Sequence, residues 1–221
     1  MPNLNEISER LLADLEARNQ ARDAALSQAR ALTRNAAHAI RAIHRLEPET
    51  ADALLIEART IVEALKRDLH PYPELFHSGY VQDAIKEFAE ASITCALVLG
   101  KELPAPEALG VEAAAYLNGL AETIGELRRR CMDVLRQGYS PEAERLLEWM
   151  DEIYLLLVSV DYPDAITNGL RRQTDIARSL VERTRSDLTL SLRDEQVIQA
   201  LNRMHERLDN GEDALAHDPG L

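Results

Sequence analysis

The chain has 221 residues, of which 46% are hydrophobic and 4% aromatic, and its formal net charge is −13. This length is typical of a single domain, and the hydrophobic content argues against a disordered chain. The acidic balance excludes a generally basic protein that coats nucleic acid or adsorbs to an anionic membrane, although it allows a local basic site.

Proline and glycine divide the chain into long segments that predict helices. Residues 3–47 contain neither, and apolar side chains recur there every three or four positions, so we predict a long first helix from about Leu4 to Leu46. Further helices are predicted over residues 49–69, 80–99, 106–137, 141–160, 164–190 and 193–208. No alternating strand pattern occurs. We therefore predict one all-α domain of seven helices over residues 1–208, followed by a flexible polar tail over residues 209–221.

Other sequence features point to an ordinary cytoplasmic protein. No apolar run is long enough to be predicted as a membrane span, and the first residues do not have the pattern of a signal peptide. Cys95 and Cys131 stand in helical segments without a CxxC motif, which predicts reduced thiols in the core.

A basic stripe lies along the second half of the first predicted helix. Residues 25–45 contain no Asp or Glu. At helical pitch the members of the stripe fall within an arc of about 80°; they are Arg30, Arg34, His38, Arg41 and Arg45. Such a row suits phosphate, because each guanidinium can bind two oxygens. The alternative is that these arginines pair with acids of neighbouring helices, and both interpretations stay open.

Four carboxylates, the acid cluster, recur at helical spacing on the third and fourth predicted helices: Glu87 and Glu90, then Glu122 and Glu126. On two antiparallel helices such pairs can converge on Mg²⁺ or Mn²⁺. The alternative is a solvent-exposed acidic face, because the acids on the fourth helix lie opposite its apolar side. Gly119 and Gly125 in the same predicted helix favour close packing or the approach of a ligand, since glycine costs about 1 kcal/mol inside a helix.

Four stretches of the sequence resemble the translin/Trax family. They are RDAALSQARALTRNAAHAIRAIHRL at residues 22–46, GYVQDAIKEFAEA at 79–91, YLNGLAETIGELRRRCMD at 116–133 and, more weakly, residues 161–188. The resemblance implies a seven-helix superhelical bundle that assembles as a hollow homo-octamer and binds single-stranded RNA or DNA. In Trax the acidic positions belong to a Mg²⁺-dependent endoribonuclease, whereas translin subunits bind nucleic acid without cutting it.

The resemblance to Trax extends to individual acidic positions. Glu87 and Glu90 match the first Trax pair, Glu126 matches the last position, and Glu122 stands where Trax has aspartate. The resemblance therefore implies that these four glutamates hold Mg²⁺ or Mn²⁺ and carry out catalysis. The arginines that follow, Arg129 and Arg130, are expected to join the basic stripe in holding the nucleic-acid backbone.

Three functions remain as hypotheses. The first is a metal-dependent endoribonuclease that acts on single-stranded RNA. The second is an assembly that binds single-stranded nucleic acid without cutting it. The third is an all-α nucleotide pyrophosphohydrolase, which needs an E-x-x-E and a later E-x-x-D. Glu87 and Glu90 supply the first motif, but Gly125 stands where the second needs its Asp.

Overall fold

The computed structural model describes residues 3–216, with side chains described up to residue 208. Over that range the chain forms nine helical segments and no strand, so the all-α prediction is confirmed. The segments are α1 (Leu4–His44), α2 (Pro48–Asp68), α3 (Pro73–Phe76), α4 (Gly79–Val98), α5 (Pro106–Leu109), α6 (Ala113–Leu135), α7 (Pro141–Ser159), α8 (Asp164–Thr167) and α9 (Leu170–Ala216). Six of these are long helices, and α3, α5 and α8 are single turns.

Two predicted boundaries need correction. The helix predicted from residue 106 begins at Ala113, because Gly110 adopts a left-handed conformation (φ 67°) and ends the turn α5. The last two predicted helices form one continuous helix, α9, since neither proline nor glycine stands between Leu170 and Asn210. This helix continues to Ala216, into the predicted tail. Residues 217–221 of that tail lie outside the described residues.

The hydrophobic core is built around α4 and α6. Helices α1 and α2 cover one side of α4, and α7 and α9 pack against α6. The side chains of Phe88 on α4 and Ile124 on α6 are almost completely buried. Cys95 and Cys131 are free and buried, as predicted. No helix within residues 3–216 combines the length and the apolar content needed to cross a bilayer.

Helices α4 and α6 run parallel, and this direction determines which residues of the two helices lie beside each other. His77, just before α4, lies 3.7 Å from Glu112, just before α6, and Lys86 further along α4 reaches Glu122 on α6. Residues 99–112 therefore lead the chain back along α4. The antiparallel arrangement expected for the acidic pairs is wrong. The parallel one places residues 87–90 of α4 level with residues 122–126 of α6.

Gly119 allows α4 and α6 to approach closely at this level. A Cβ atom at position 119 would lie 2.8 Å from the carbonyl oxygen of Lys86 and 2.9 Å from the backbone nitrogen of Glu90. Because these are backbone atoms of a helix, they cannot move aside as the end of a side chain can. The close packing expected at the two glycines is thus present at Gly119, where it brings the two acidic segments together, and is absent at Gly125, where a Cβ atom would meet only Leu180 at 4.0 Å.

Candidate active site

The acid cluster lies where α1, α4 and α6 meet. Glu87, Glu90 and Glu126 line a cavity of about 200 Å³. Two arginines, Arg41 of α1 and Arg129 of α6, line the same cavity. The structure therefore places acidic and basic groups of the predicted site beside one space, which is large enough for water or for an ion with its ligands.

Burial and mutual repulsion perturb the carboxyl groups on α4. The pKa of Glu90 is raised to about 8, first by burial and then by the negative charges of Glu122 and Glu126. The pKa of Glu87 is also raised, mainly by burial, although Lys86 and a hydrogen bond from Thr33 oppose the shift. A buried carboxylate in such surroundings favours the uptake of a proton or of a cation.

His44, the last residue of α1, holds the carboxylate of Glu126 on α6. The Nε2 atom of His44 lies 2.6 Å from Oε2 of Glu126, and the imidazole side chain is only 4% exposed. This hydrogen bond lowers the pKa of Glu126 against the effect of burial. The other ring nitrogen, Nδ1, is buried and has no hydrogen-bond partner among the described residues. His44 was not among the predicted site residues. One indication of its role was present in the sequence, because His44 belongs to the His-Arg-Leu end of the stretch at residues 22–46 that resembles the translin/Trax family.

Glu122 is held by two other groups that sequence reasoning missed. The ammonium group of Lys86 donates a hydrogen bond of 2.7 Å to Oε1 of Glu122, and the side-chain amide of Gln173 on α9 donates one of 3.0 Å to the same oxygen. Both donors lie far from Glu122 in the sequence, so the spacing of residues along one helix could not predict these hydrogen bonds.

The chemistry of the acid cluster fits a hard divalent cation, but its present arrangement is not that of a formed metal site. Four carboxylates with one strongly raised pKa are donors that Mg²⁺ and Mn²⁺ prefer. Among the described residues, however, no group of three or more His, Cys, Asp or Glu side chains is placed to hold a metal ion. A metal ion would have to compete with Lys86 for Oε1 of Glu122 and with His44 for Oε2 of Glu126.

The basic stripe is exposed along α1. All five of its members are solvent-exposed. Arg30 and Arg34 line a groove of about 450 Å³, and Arg41 lines the acid cavity further along the same helix. These three arginines have no carboxylate partner among the described residues. Pairing within the chain, the alternative interpretation, applies to Arg45, whose guanidinium donates two hydrogen bonds of 2.9 Å to Glu47.

The two arginines predicted after Glu126 separate in the structure. Arg129 is exposed and lies 3.7 Å from Glu126 at the acid cavity. Arg130 is 13% exposed and forms an ion pair of 2.8 Å with Glu142 at the start of α7. The structure therefore brings Arg129 to the cavity and uses Arg130 to join α6 to α7.

Comparisons with known proteins agree with this fold. No protein-family model matches the sequence. An uncharacterized protein of Methanocaldococcus jannaschii is 29% identical over 197 residues, which are 88% of this chain and 86% of that protein. AfC3PO, solved alone and as a complex with duplex RNA, is 33% identical with a TM-score of 0.76, and the match covers 83% of this chain and 95% of that chain.

A more distant structure shares the fold alone. Apo-NeC3PO is 20% identical to this chain, with a TM-score of 0.73 over 86% of this chain and 98% of its own. The similarity to AfC3PO spans nearly all of a solved subunit, and the similarity to NeC3PO shows that the helical architecture persists at lower identity.

Proposed function

Because this chain belongs to the translin/Trax family of C3PO subunits, we propose that it binds single-stranded RNA or DNA and cuts RNA with a bound divalent cation. The observation that carries the proposal is that one cavity is lined by Arg41, which has no carboxylate partner among the described residues, by Arg129, and by three members of the acid cluster, Glu87, Glu90 and Glu126. Phosphate needs the arginines, a cation needs the carboxylates, and phosphodiester cleavage needs both.

Nucleic-acid binding is supported by the unpaired arginines of the basic stripe. Arg30 and Arg34 line one groove and Arg41 lines the acid cavity, so a backbone that follows α1 meets guanidinium groups at both places. AfC3PO has been solved with duplex RNA, which supports RNA as a ligand of this chain. Strandedness is a separate question, and single-stranded and duplex RNA of the same sequence should be compared directly.

The role of each site residue follows from its surroundings. Glu87, Glu90, Glu122 and Glu126 would hold Mg²⁺ or Mn²⁺, which when bound supplies Lewis acidity and an activated water. Without a metal ion the pKa of Glu90 is about 8, so this carboxyl group would have to lose a proton to bind the cation. Arg41 and Arg129 would hold phosphate oxygens at the cavity.

The activity is tested with purified protein, Mg²⁺ or Mn²⁺ and end-labelled single-stranded RNA. Glu126→Ala should abolish metal-dependent cleavage and leave RNA binding largely intact, because it removes a carboxylate and spares the arginines. Asp133→Asn is the matched control, since Asp133 is an exposed acid further along α6. If the wild type leaves RNA uncut and a variant lacking all four glutamates behaves identically, the nuclease is excluded.

A non-catalytic binding assembly is the second candidate. It is favoured by the observation that Glu122 and Glu126 are both held by groups of this chain. This candidate predicts RNA binding that falls steeply with salt and is unaffected by removal of metal with EDTA.

A homo-oligomer, which we propose to be a hollow octamer, is supported by two apolar stripes. Near the start of α1, Leu4, Ile7, Leu11 and Leu15 are exposed at helical spacing. Late in α9 a second exposed stripe contains Val197, Leu201, Met204 and Leu208. Exposed apolar stripes of this kind mark protein interfaces. Light scattering should give a mass of about 200 kDa, which is eight times the 24.7 kDa chain; a monomer would exclude the assembly.

A further inference from the structure

Lys86 stands out among the cations of this chain. The sequence contains three lysines, Lys66, Lys86 and Lys101, and uses arginine at every other basic position apart from histidine. Lys66 and Lys101 are exposed, whereas the side chain of Lys86 is 21% exposed and lies in the acid cluster. An ammonium is a compact point charge, closer in character to a small metal cation than a planar guanidinium is.

The position of Lys86 is fixed by the packing of three helices. The close approach at Gly119 holds the backbone of Lys86 against α6. Its ammonium group donates to Oε1 of Glu122, and Gln173 of α9 donates to the same oxygen. Oε1 of Glu122 therefore already has two hydrogen-bond donors, and a metal ion could bind this oxygen only by displacing one of them.

We propose that Lys86 is a resident cation that competes with a divalent ion for Glu122, and that it thereby weakens metal binding. This inference rests on the proposed metal-dependent function of the same cluster. Two cations that share one carboxylate oxygen repel strongly in a half-buried site, because little solvent screens them. Lys86 acts through Glu122 and is a positioning residue.

Calorimetric titration with Mn²⁺, in the absence of RNA, tests this inference on the intact protein. Lys86→Met keeps most of the unbranched side chain and removes the charge, so it should bind Mn²⁺ about tenfold more tightly than the wild type. Lys86→Arg keeps the charge and should bind Mn²⁺ with nearly the wild-type affinity. The electron paramagnetic resonance spectrum of bound Mn²⁺ provides a second readout that does not depend on activity.

Arg129→Gln separates a specific displacement from a general loss of positive charge. Arg129 is a cation of the same cavity, but its guanidinium is exposed and lies 3.7 Å from Glu126. Its removal should strengthen Mn²⁺ binding less than threefold, compared with about tenfold for Lys86→Met. Equal gains from Arg129→Gln and Lys86→Met would overturn the specific role of Lys86.

The remaining outcomes distinguish this inference from the proposed function. If the wild type binds Mn²⁺ and Lys86→Met binds it no more tightly, the role of Lys86 is wrong and the metal-dependent function stands. If neither protein binds Mn²⁺, both are wrong. Thermal unfolding by circular dichroism checks that each variant is folded. If Lys86→Met does not fold, Lys86→Gln is used in its place.

Discussion

In the acid cluster, the carboxylates of Glu122 and Glu126 are met by Lys86 and His44 of the same chain, whereas Arg34 on α1 has no carboxylate partner among the described residues. Glu122 and Glu126 are compensated within the chain, and the unpaired arginines leave positive charge open to solvent. This difference teaches that the net charge of −13 does not describe the surface that a ligand meets.

The largest expected effect comes from reversing the unpaired charges. Arg34→Glu combined with Arg41→Glu should weaken RNA binding about 100-fold at moderate salt and reduce the slope of log Kd against log salt by about 2. The reason is that both guanidinium groups are free to meet phosphate. Fluorescence anisotropy with labelled RNA at several salt concentrations measures both quantities.

A second double variant provides the control for that comparison. Arg45→Glu with Arg178→Glu makes the same change in net charge, but both arginines are already paired, with Glu47 and Glu182. Its affinity for RNA should fall less than about threefold, because solvent-exposed paired arginines lose little that a ligand could use. Equal losses in the two double variants would mean that total charge, and not the pairing of each arginine, governs binding.

The next largest effect concerns the packing that holds the acid cluster together. Gly119→Ala gains about 1 kcal/mol of helix propensity, but pushing α4 and α6 apart costs about 3 kcal/mol. The free energy of unfolding should therefore fall by about 2 kcal/mol, measured by urea denaturation. Cleavage of RNA should fall with it, because the carboxylates of the two helices separate.

Gly125→Ala is the matched control on the same helix. A Cβ atom there meets only Leu180 Cδ1, at 4.0 Å, which is ordinary contact. The substitution should raise the free energy of unfolding by about 0.5–1 kcal/mol through helix propensity alone. A destabilised Gly125→Ala together with an unaffected Gly119→Ala would reverse our assignment of the close contact.

The helices of this fold were predictable because the prolines and glycines that end them are visible in the local sequence. Pro141 and Gly138 mark the boundary between α6 and α7 in the sequence, and the structure places it there. The absence of any proline or glycine near residue 191 was equally visible, although two helices were predicted where α9 is one.

The pairing of charges was less predictable, because it depends on how distant helices pack. Arg45 and Glu47 are neighbours in the sequence, but Lys86 meets Glu122 only because α4 and α6 run parallel. Helical periodicity gives the face on which a residue lies and not the direction of the helix beside it. For the same reason, the basic residues on the exposed face of α1 could be identified, but which of them remain unpaired could not.

The smallest expected effect tests whether internal compensation of the acid cluster contributes to stability. His44→Phe keeps an aromatic ring in the core but removes the Nε2 hydrogen bond to Glu126. It should lower the free energy of unfolding by about 1 kcal/mol, since Glu126 then keeps only the more distant, exposed Arg129. His44→Gln retains a donor of similar reach and should lose less than half as much in urea denaturation. RNA binding should change little in both variants, because the exposed arginines are untouched. If His44→Phe were as stable as the wild type, solvent would already satisfy Glu126, and the contrast between a compensated acid cluster and an open basic stripe would hold for Glu122 alone.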